Sequence, residues 1–264
     1  MSIGLVDAAC AVLHAAAPAD KVALTRRFAA DYAAGALPRG GSARPPDRPA
    51  RPARPLLLPP RDMPRRRAAG SLAGRIALLH ALAHIELNAI DLAWDLIARF
   101  SAASLPPEFA ADWVAVASEE AKHFALLCDR LGDYEASYGD LPAHDGLWEA
   151  AQATSGDFLA RLAVVPLVLE ARGLDVTPDM MKRLERAGDG ASAAVLQVIY
   201  DDEIGHVAAG VRWFRWACAR QGRDPAALYR TLVRQHYNGA LKPPFNRAAR
   251  AAAGLDPAFY EALA

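Results

Sequence analysis

The chain has 264 residues, 53% of them hydrophobic and 23% charged, so it can bury one large core, and a single domain over residues 1–264 is expected. Abundant alanine, with few β-branched and aromatic runs, favours an all-α fold over a β-rich one. The formal charge is zero, and three widely spaced cysteines exclude a disulfide framework or a cysteine zinc site. No apolar run approaches the roughly 18 residues of a membrane span, so a cytoplasmic location is expected.

The N-terminal region is predicted to hold two helices and then an extended arm. The helices occupy residues 1–37 and are broken at Pro18. The arm, residues 38–70, is rich in arginine and proline, with nine arginines against two aspartates. Such an arm either folds back onto an acidic body through arginine–carboxylate pairs or binds nucleic acid. Its lack of interleaved aromatic residues favours the first interpretation.

Four long helices are predicted within residues 71–219, which is the number that a four-helix bundle needs. They are expected at about residues 71–101, 107–131, 145–172 and 191–219. Gly173 is predicted to end the third helix, and a short helix over about residues 177–187 then leads to the fourth. Residues 220–264 are predicted to form a C-terminal helical segment.

The pattern Glu-x-x-His occurs in the second long helix and again in the fourth. The two copies are Glu120 with His123 and Glu203 with His206. Residues three apart lie on one face of a helix, so both side chains of a copy can reach the same point. Each glutamate is centred on an apolar stripe and therefore faces the core, where an unpaired charge costs on the order of several kcal/mol. A divalent cation would neutralise it.

Two further glutamates also stand on apolar helix faces, Glu86 in the first long helix and Glu170 in the third. They precede the two Glu-x-x-His copies by 34 and 33 residues. That separation is expected when a helix rises, turns and descends through the same height. Pro166 and Gly173 flank Glu170, which indicates an interrupted helix at this position.

The six residues supply four carboxylates and two imidazoles from four helices, which is the arrangement of di-iron and di-manganese carboxylate bundles. The predicted metal ligands are Glu86, Glu120, His123, Glu170, Glu203 and His206. Oxygen and imidazole donors favour two iron ions, with manganese as the alternative, over structural zinc. Any one of these residues alone would more often be a hydrogen-bonded core residue, but six in this order favour metal.

Other polar residues of the first long helix are expected to support the ligands. His80 and His84 point away from the face of Glu86 and are predicted to pack or to make hydrogen bonds. Asn88, Asp91 and Asp95 lie on the opposite side of that helix and can orient ligands on a neighbouring one.

The loop before the third long helix carries the pair His144 and Asp145. Asp145 is predicted to cap that helix, and the alternative is that the pair lines the entrance to the metal cavity. No catalytic residue beyond the metal ligands can be assigned from the sequence.

Five segments of the chain resemble a known family. They are HALAHIELNAIDLAWD (80–95), ASEEAKHF (117–124), YGDLPAHDGLWEAA (138–151), RLAVVPLVLEARGLDVTP (161–178) and DDEIGHVAAGVRWF (201–214). The family is the ferritin-like one catalogued as domain of unknown function 455, and the likeness covers roughly residues 45–255. It implies a ferritin-like four-helix bundle with extra N- and C-terminal helices and a metal site, but no established reaction.

The wider ferritin-like superfamily implies chemistry with dioxygen or peroxide. The leading hypothesis is therefore an oxygen-activating oxidoreductase, of hydroxylase or oxidase type, acting on an unknown small molecule with an electron donor. One alternative is an iron-handling or peroxide-detoxifying protein. Another is a tRNA-nucleoside hydroxylase, because a relative with the same ligand pattern hydroxylates a tRNA base. A monomer or dimer is expected, and no membrane association.

Overall fold

The computed structural model describes residues 3–64, 70–101 and 105–264, and these residues form helices and no strands, as predicted. Within them, an isolated parallel bridge joins Leu57 to Ala143. The helices are α1 (Leu5–His14), α2 (Pro18–Ala33), α3 (Leu72–Phe100), α4 (Pro107–Gly132), α5 (Gly146–Ala153), α6 (Phe158–Val164), α7 (Ala171–Arg186), α8 (Gly190–Arg220), α9 (Pro225–His236), α10 (Arg247–Ala252) and α11 (Pro257–Tyr260). A π-helical segment, Val165–Glu170, joins α6 to α7.

The long helices begin where local capping chemistry dictates. The predicted cap of the first one is confirmed, since Ser71 Oγ accepts a hydrogen bond from the backbone N–H of Gly74 at 3.1 Å. Pro107 occupies the first turn of α4, where backbone N–H groups have no acceptor within the helix, so its missing N–H costs no hydrogen bond. Asp157 caps α6 and Asp189 caps α8 through their Oδ1 atoms.

The contacts divide the chain into two compact units, which are described separately. The first unit is Met1–Trp148 with Arg186–Gly188, and the second is Glu149–Glu185 with Asp189–Ala264. The single domain and the bundle over residues 71–219 therefore stay predictions.

In the first unit, α3 packs along α4, while α1 packs on α3 and α2 on α4. Burying the aromatic side chains of Phe28, Trp94 and Trp113 contributes strongly to this core. The indole N–H of Trp94 donates to Thr25 Oγ1 at 3.0 Å, so the polar edge of the ring is satisfied inside the core.

The arm lies against the first unit. The backbone N–H of Ala50 donates to Leu13 O at 2.8 Å, and that of Leu58 donates to Ala143 O at 2.8 Å. The described part of the arm is thus folded back onto its own chain, as the first interpretation of its charge expected. Three of its arginines fall in residues 65–69, outside the described residues.

In the second unit, α6 and the π-helical segment pack against α8, and α6 also packs on α9. The rings of Phe214, Tyr229 and Phe259 meet at centroid distances of 5.4–6.3 Å. The hydroxyl of Tyr229 donates to Leu167 O at 3.1 Å, which ties α9 to the π-helical segment.

The third predicted helix, residues 145–172, is wrong as a continuous element. α5 ends at Ala153, a turn leads to α6, and the π-helical segment follows. Gly173 does not end a helix either, because α7 continues through both Gly173 and Pro178.

This continuation has a hydrogen-bond explanation. Pro178 has no N–H to donate to Leu174 O one turn earlier, so that carbonyl would be left unpaired. The side-chain amide of Asn246 donates to Leu174 O at 3.1 Å instead. The replacement donor comes from a distant part of the chain, which local breaker signals cannot reveal.

Among the described residues, α3 is long and apolar enough to cross a membrane by composition alone. However, 67% of its apolar window is buried within the protein. A mostly buried core helix passes the same test of length and composition, so the expectation of no membrane span stays a prediction.

Candidate metal centre

Three of the predicted ligands meet inside the first unit. Glu86 lies on α3, and Glu120 and His123 lie one turn apart on α4. All three are buried, with exposures of 3%, 0% and 0%. Each offers a ligand atom, and these atoms lie within 4.8 Å of one another. His123 Nδ1 is 3.3 Å from Glu120 Oε2 and 3.4 Å from Glu86 Oε2. The α3–α4 hairpin therefore presents two carboxylates and an imidazole to one point.

The electrostatics of this cluster show an excess of buried negative charge. Burial, followed by the charge of Glu120, raises the pKa of Glu86 well above its ordinary value. Burial acts to lower the pKa of His123, but its hydrogen bonds to Glu120 and Glu86 outweigh this effect and raise the pKa to about 10. Two carboxylates thus compete for one cationic partner, and a divalent cation at the same point would relieve both shifts.

The second copy of the motif lies on α8, in the second unit. His206 Nδ1 is 3.6 Å from Glu203 Oε2, and the imidazole is 1% exposed. Glu203 has a side-chain exposure of 12%. The motif therefore turns both side chains to one face of α8, as its spacing predicts.

Glu170 is the last residue of the π-helical segment. This segment approaches α8 closely at Gly210, where a β-carbon would lie 2.5 Å from Pro166 Cβ and 3.3 Å from Leu167 Cδ2. Gly210 stands one helical turn after His206, so the segment that carries Glu170 docks next to the turn that carries the imidazole. The interruption predicted from Pro166 is present, in the form of a π-helix.

The structure thus unites Glu86, Glu120 and His123, and it pairs Glu203 with His206. That these two sets and Glu170 form one six-ligand centre stays a prediction.

A hydrogen-bonded network links His80 and His84 of α3 to the loop that contains Tyr138, Gly139 and His144. His84 Nε2 donates to His144 O at 3.1 Å, so its Nδ1 is the atom that accepts the Tyr138 hydroxyl at 2.8 Å. The backbone N–H of Gly139 donates to His80 Nε2 at 2.9 Å. Both histidines of α3 are therefore engaged in hydrogen bonds, as predicted.

Burial, reinforced by the charge of Arg51, lowers the pKa of His84 to about 4. The ring is therefore neutral at pH 7, in agreement with its role as donor at one nitrogen and acceptor at the other.

Asp91 on α3 forms a buried ion-pair cluster that the sequence did not reveal. It accepts a hydrogen bond from Lys21 Nζ at 2.7 Å, and both side chains are fully buried. It also pairs with Arg51 of the arm, whose Nη2 donates to Asn88 Oδ1 at 2.7 Å. Lys21 is 70 residues from Asp91, and no spacing rule links positions that far apart.

The pair His144 and Asp145 has a contact of its own in the first unit. Asp145 forms an ion pair with Arg48 of the arm, and His144 Nδ1 accepts the backbone N–H of Gly146 at 3.3 Å. The loop thus contributes one of the points at which the arm is attached.

The fold and the buried cluster define an all-helical protein with a carboxylate–imidazole group able to hold a metal ion. The chain belongs to the family described as "Protein of unknown function (DUF455)", whose profile matches residues 14–261. It is 41% identical over 209 residues to an uncharacterized protein of Haemophilus influenzae, an alignment that covers 77% of this chain and 72% of that protein. No solved structure matches the chain.

Proposed function

We propose that the chain is a ferritin-like, non-haem di-iron carboxylate protein that activates dioxygen to oxidise an organic substrate. The observation that carries this proposal is the buried Glu86–Glu120–His123 cluster, together with the repeat of its motif at Glu203 and His206. Glu170 completes the proposed set as the fourth carboxylate.

The donor set fits the metal. Carboxylate oxygens and imidazole nitrogens are the ligands that iron and manganese take in helical carboxylate proteins. A buried pair of carboxylates beside one imidazole would destabilise the folded protein, and the raised pKa of Glu86 is the sign of that cost. A bound cation would neutralise the carboxylates and so remove this source of destabilisation.

The protein residues would bind, orient and shield the metal ions. The glutamates and the two histidines would hold them, while buried Phe124 and Leu127 on α4 keep water from the cluster. When bound, two iron ions would supply the redox chemistry with dioxygen, and an external electron donor would restore their ferrous state. The π-helical segment supports placing the substrate near Glu170, because π-helical turns are frequent at functional sites.

The tRNA-nucleoside alternative would use the basic arm. Two arginines of the arm, Arg48 and Arg51, pair with carboxylates of their own chain, so these two do not favour a nucleic acid over a small molecule.

The proposal is tested first by metal content. We expect about two iron or manganese ions per chain after anaerobic loading, and a large loss in Glu120→Ala and His123→Ala. Glu119→Ala is the matched control, because it removes a neighbouring carboxylate from another face of the same helix. Wild-type protein that takes up neither metal overturns the proposal.

A second experiment separates an enzyme from an iron store. Ferrous protein is reoxidised with dioxygen in the presence of a metabolite or tRNA extract, and products are compared by mass spectrometry with those of Glu120→Ala. An enzyme yields a compound that has gained one oxygen atom or lost two hydrogen atoms. Oxidation of many added ferrous ions per chain, with no new compound, supports iron handling instead.

A further inference from the structure

A cleft of about 270 Å³ opens in the second unit beside the π-helical segment. Val168 and Leu169 of that segment form one side, and Tyr237 and Phe245 contribute aromatic rings. Leu169 directly precedes Glu170, so one wall of the cleft is continuous with a proposed metal ligand. The volume is close to the lower end of the range for small-molecule sites.

Positive charge exceeds negative charge in this cleft. Arg172, Lys242 and Arg250 line it, and Asp175 is the one carboxylate among the residues that do so. Asp175 is already occupied, since it accepts hydrogen bonds from Arg250 Nε at 2.9 Å and Nη2 at 2.7 Å. Arg172 Nη1 lies 3.5 Å from it. The cleft therefore carries two positive charges that its own carboxylate does not balance.

Arg250 adds a second sign of a missing partner. Its side chain is only 3% exposed, and Nη1 is buried without a hydrogen bond to any residue that the structure describes. Burying an unsatisfied donor of a charged group destabilises a protein. An acceptor supplied from the cleft would remove that penalty.

The uncharged walls indicate the rest of the ligand. The aromatic rings of Tyr237 and Phe245, with Val168 and Leu169, present apolar surface next to the cationic groups. Such a combination orients a molecule with a charged head and an apolar or aromatic body.

We propose that this cleft binds a small organic anion, with a carboxylate or phosphate head and an apolar body, and that this is the substrate class of the proposed oxidation. Arg172 and Lys242 bind the head, and the wall formed by Leu169 directs the body toward Glu170. This inference builds on the proposed function, since it assigns the substrate of the same centre.

Binding is tested by calorimetry on the full chain with three probes: benzoate, phenyl phosphate and neutral benzamide. We expect the two anions to bind and benzamide to bind at least about tenfold more weakly. Lys242→Gln and Arg172→Gln should each weaken anion binding about tenfold. Lys182→Gln, an exposed cation of α7 outside the cleft, is the matched control. Equal binding of benzamide, or unchanged binding in both cleft variants, overturns the proposal.

A separate measurement tests whether an anion bound in the cleft lies close to the metal centre. Protein loaded with paramagnetic Mn²⁺ should broaden the phosphorus resonance of bound phenyl phosphate, and Lys242→Gln should remove the broadening without lowering manganese content. Glu203→Ala should bind phenyl phosphate normally and give little broadening, which separates failure of the metal site from failure of the cleft. Phenyl phosphate that binds the loaded wild type without broadening overturns the substrate assignment.

Discussion

The Glu86 carboxylate favours metal binding but lowers the stability of the metal-free chain. Without a cation, folding at pH 7 must either protonate Glu86 or bury its charge beside Glu120, since its pKa is raised in the folded protein. Glu86→Gln removes that penalty and keeps the shape of the side chain. We expect its metal-free form to gain about 1–3 kcal/mol in the free energy of unfolding, measured with urea and a chelator at pH 7.

The same Glu86→Gln variant should gain less stability from added iron or manganese than wild type does. Glu119→Gln serves as control, with little change in either measurement. A metal-free Glu86→Gln chain that is less stable than wild type would show that the carboxylate is favourably paired without metal.

His80 provides a pH dependence that the structure explains. Burial lowers its pKa, although Asp140 acts in the opposite direction. Its Nε2 accepts the N–H groups of Gly139 at 2.9 Å and Leu141 at 3.4 Å, so a proton there would face two donors. Because the folded pKa lies below the unfolded value of about 6.5, this contribution to stability is complete above that pH and is lost as the pH falls below it.

We therefore expect the free energy of unfolding of wild type to decrease from about pH 7 to about pH 5. His80→Gln keeps an acceptor in the same place but does not titrate, so its curve should be flatter over this interval. His84 titrates in the same direction in both proteins, so the difference between the curves isolates His80. Parallel curves would contradict the assignment.

At the scale of elements, the docking of the π-helical segment on α8 depends on one missing side chain. Gly210→Ala would place a methyl group 2.5 Å from Cβ and 2.8 Å from Cγ of Pro166, and a proline ring cannot move aside as a flexible chain end can. We expect a loss of about 1–3 kcal/mol in the free energy of unfolding. Metal affinity should also fall, because Glu170 is carried by the displaced segment.

Gly205 of the same helix is the control for that substitution. A β-carbon there meets no described atom within 4 Å. Gly205→Ala should therefore raise stability by up to about 1 kcal/mol through helix propensity. Urea denaturation and metal titration of both variants test the pair, and equal behaviour of the two alanines would show that the contact at Pro166 is unimportant.

The elements differ in how far the sequence could predict them. α3, α4 and α8 follow from long apolar stripes with a clear cap such as Ser71, and the ligands on them follow from the same periodicity. The helices within residues 145–186 could not be predicted in this way. Gly173 and Pro178 normally end a helix, but in the folded chain Asn246 supplies the hydrogen bond that Pro178 cannot make. A helix boundary that depends on a hydrogen bond from a distant residue cannot be predicted from the residues beside it.

The candidate site likewise contains contacts that the sequence could predict and contacts that it could not. Glu86, Glu120 and His123 could be predicted to meet because spacing alone puts them on facing stripes. The pair Lys21–Asp91 and the cleft around Arg250 could not, since each joins positions about 70 or more residues apart with no repeating pattern between them.

At the scale of the whole molecule, the proposed ligands come from both units, and stability can report whether they share one centre. A metal that binds only the folded state stabilises it, by about 2.7 kcal/mol when its free concentration is a hundred times its Kd. In a shared centre, Glu120→Ala and Glu203→Ala should each remove most of that stabilisation, and the double variant should lose little more. Two independent sites would instead give losses that add.

The measurement is the difference in unfolding free energy with saturating Mn²⁺ and with chelator, for wild type, both single variants and the double variant. Glu119→Ala on α4 and Asp201→Ala on α8 are the controls, since each removes a carboxylate near a proposed ligand and should leave the metal-induced difference intact. Comparing the same proteins in chelator corrects for any effect of the substitutions on the metal-free fold. Additive losses would contradict a single six-ligand centre and leave Glu86, Glu120 and His123 as a site of their own.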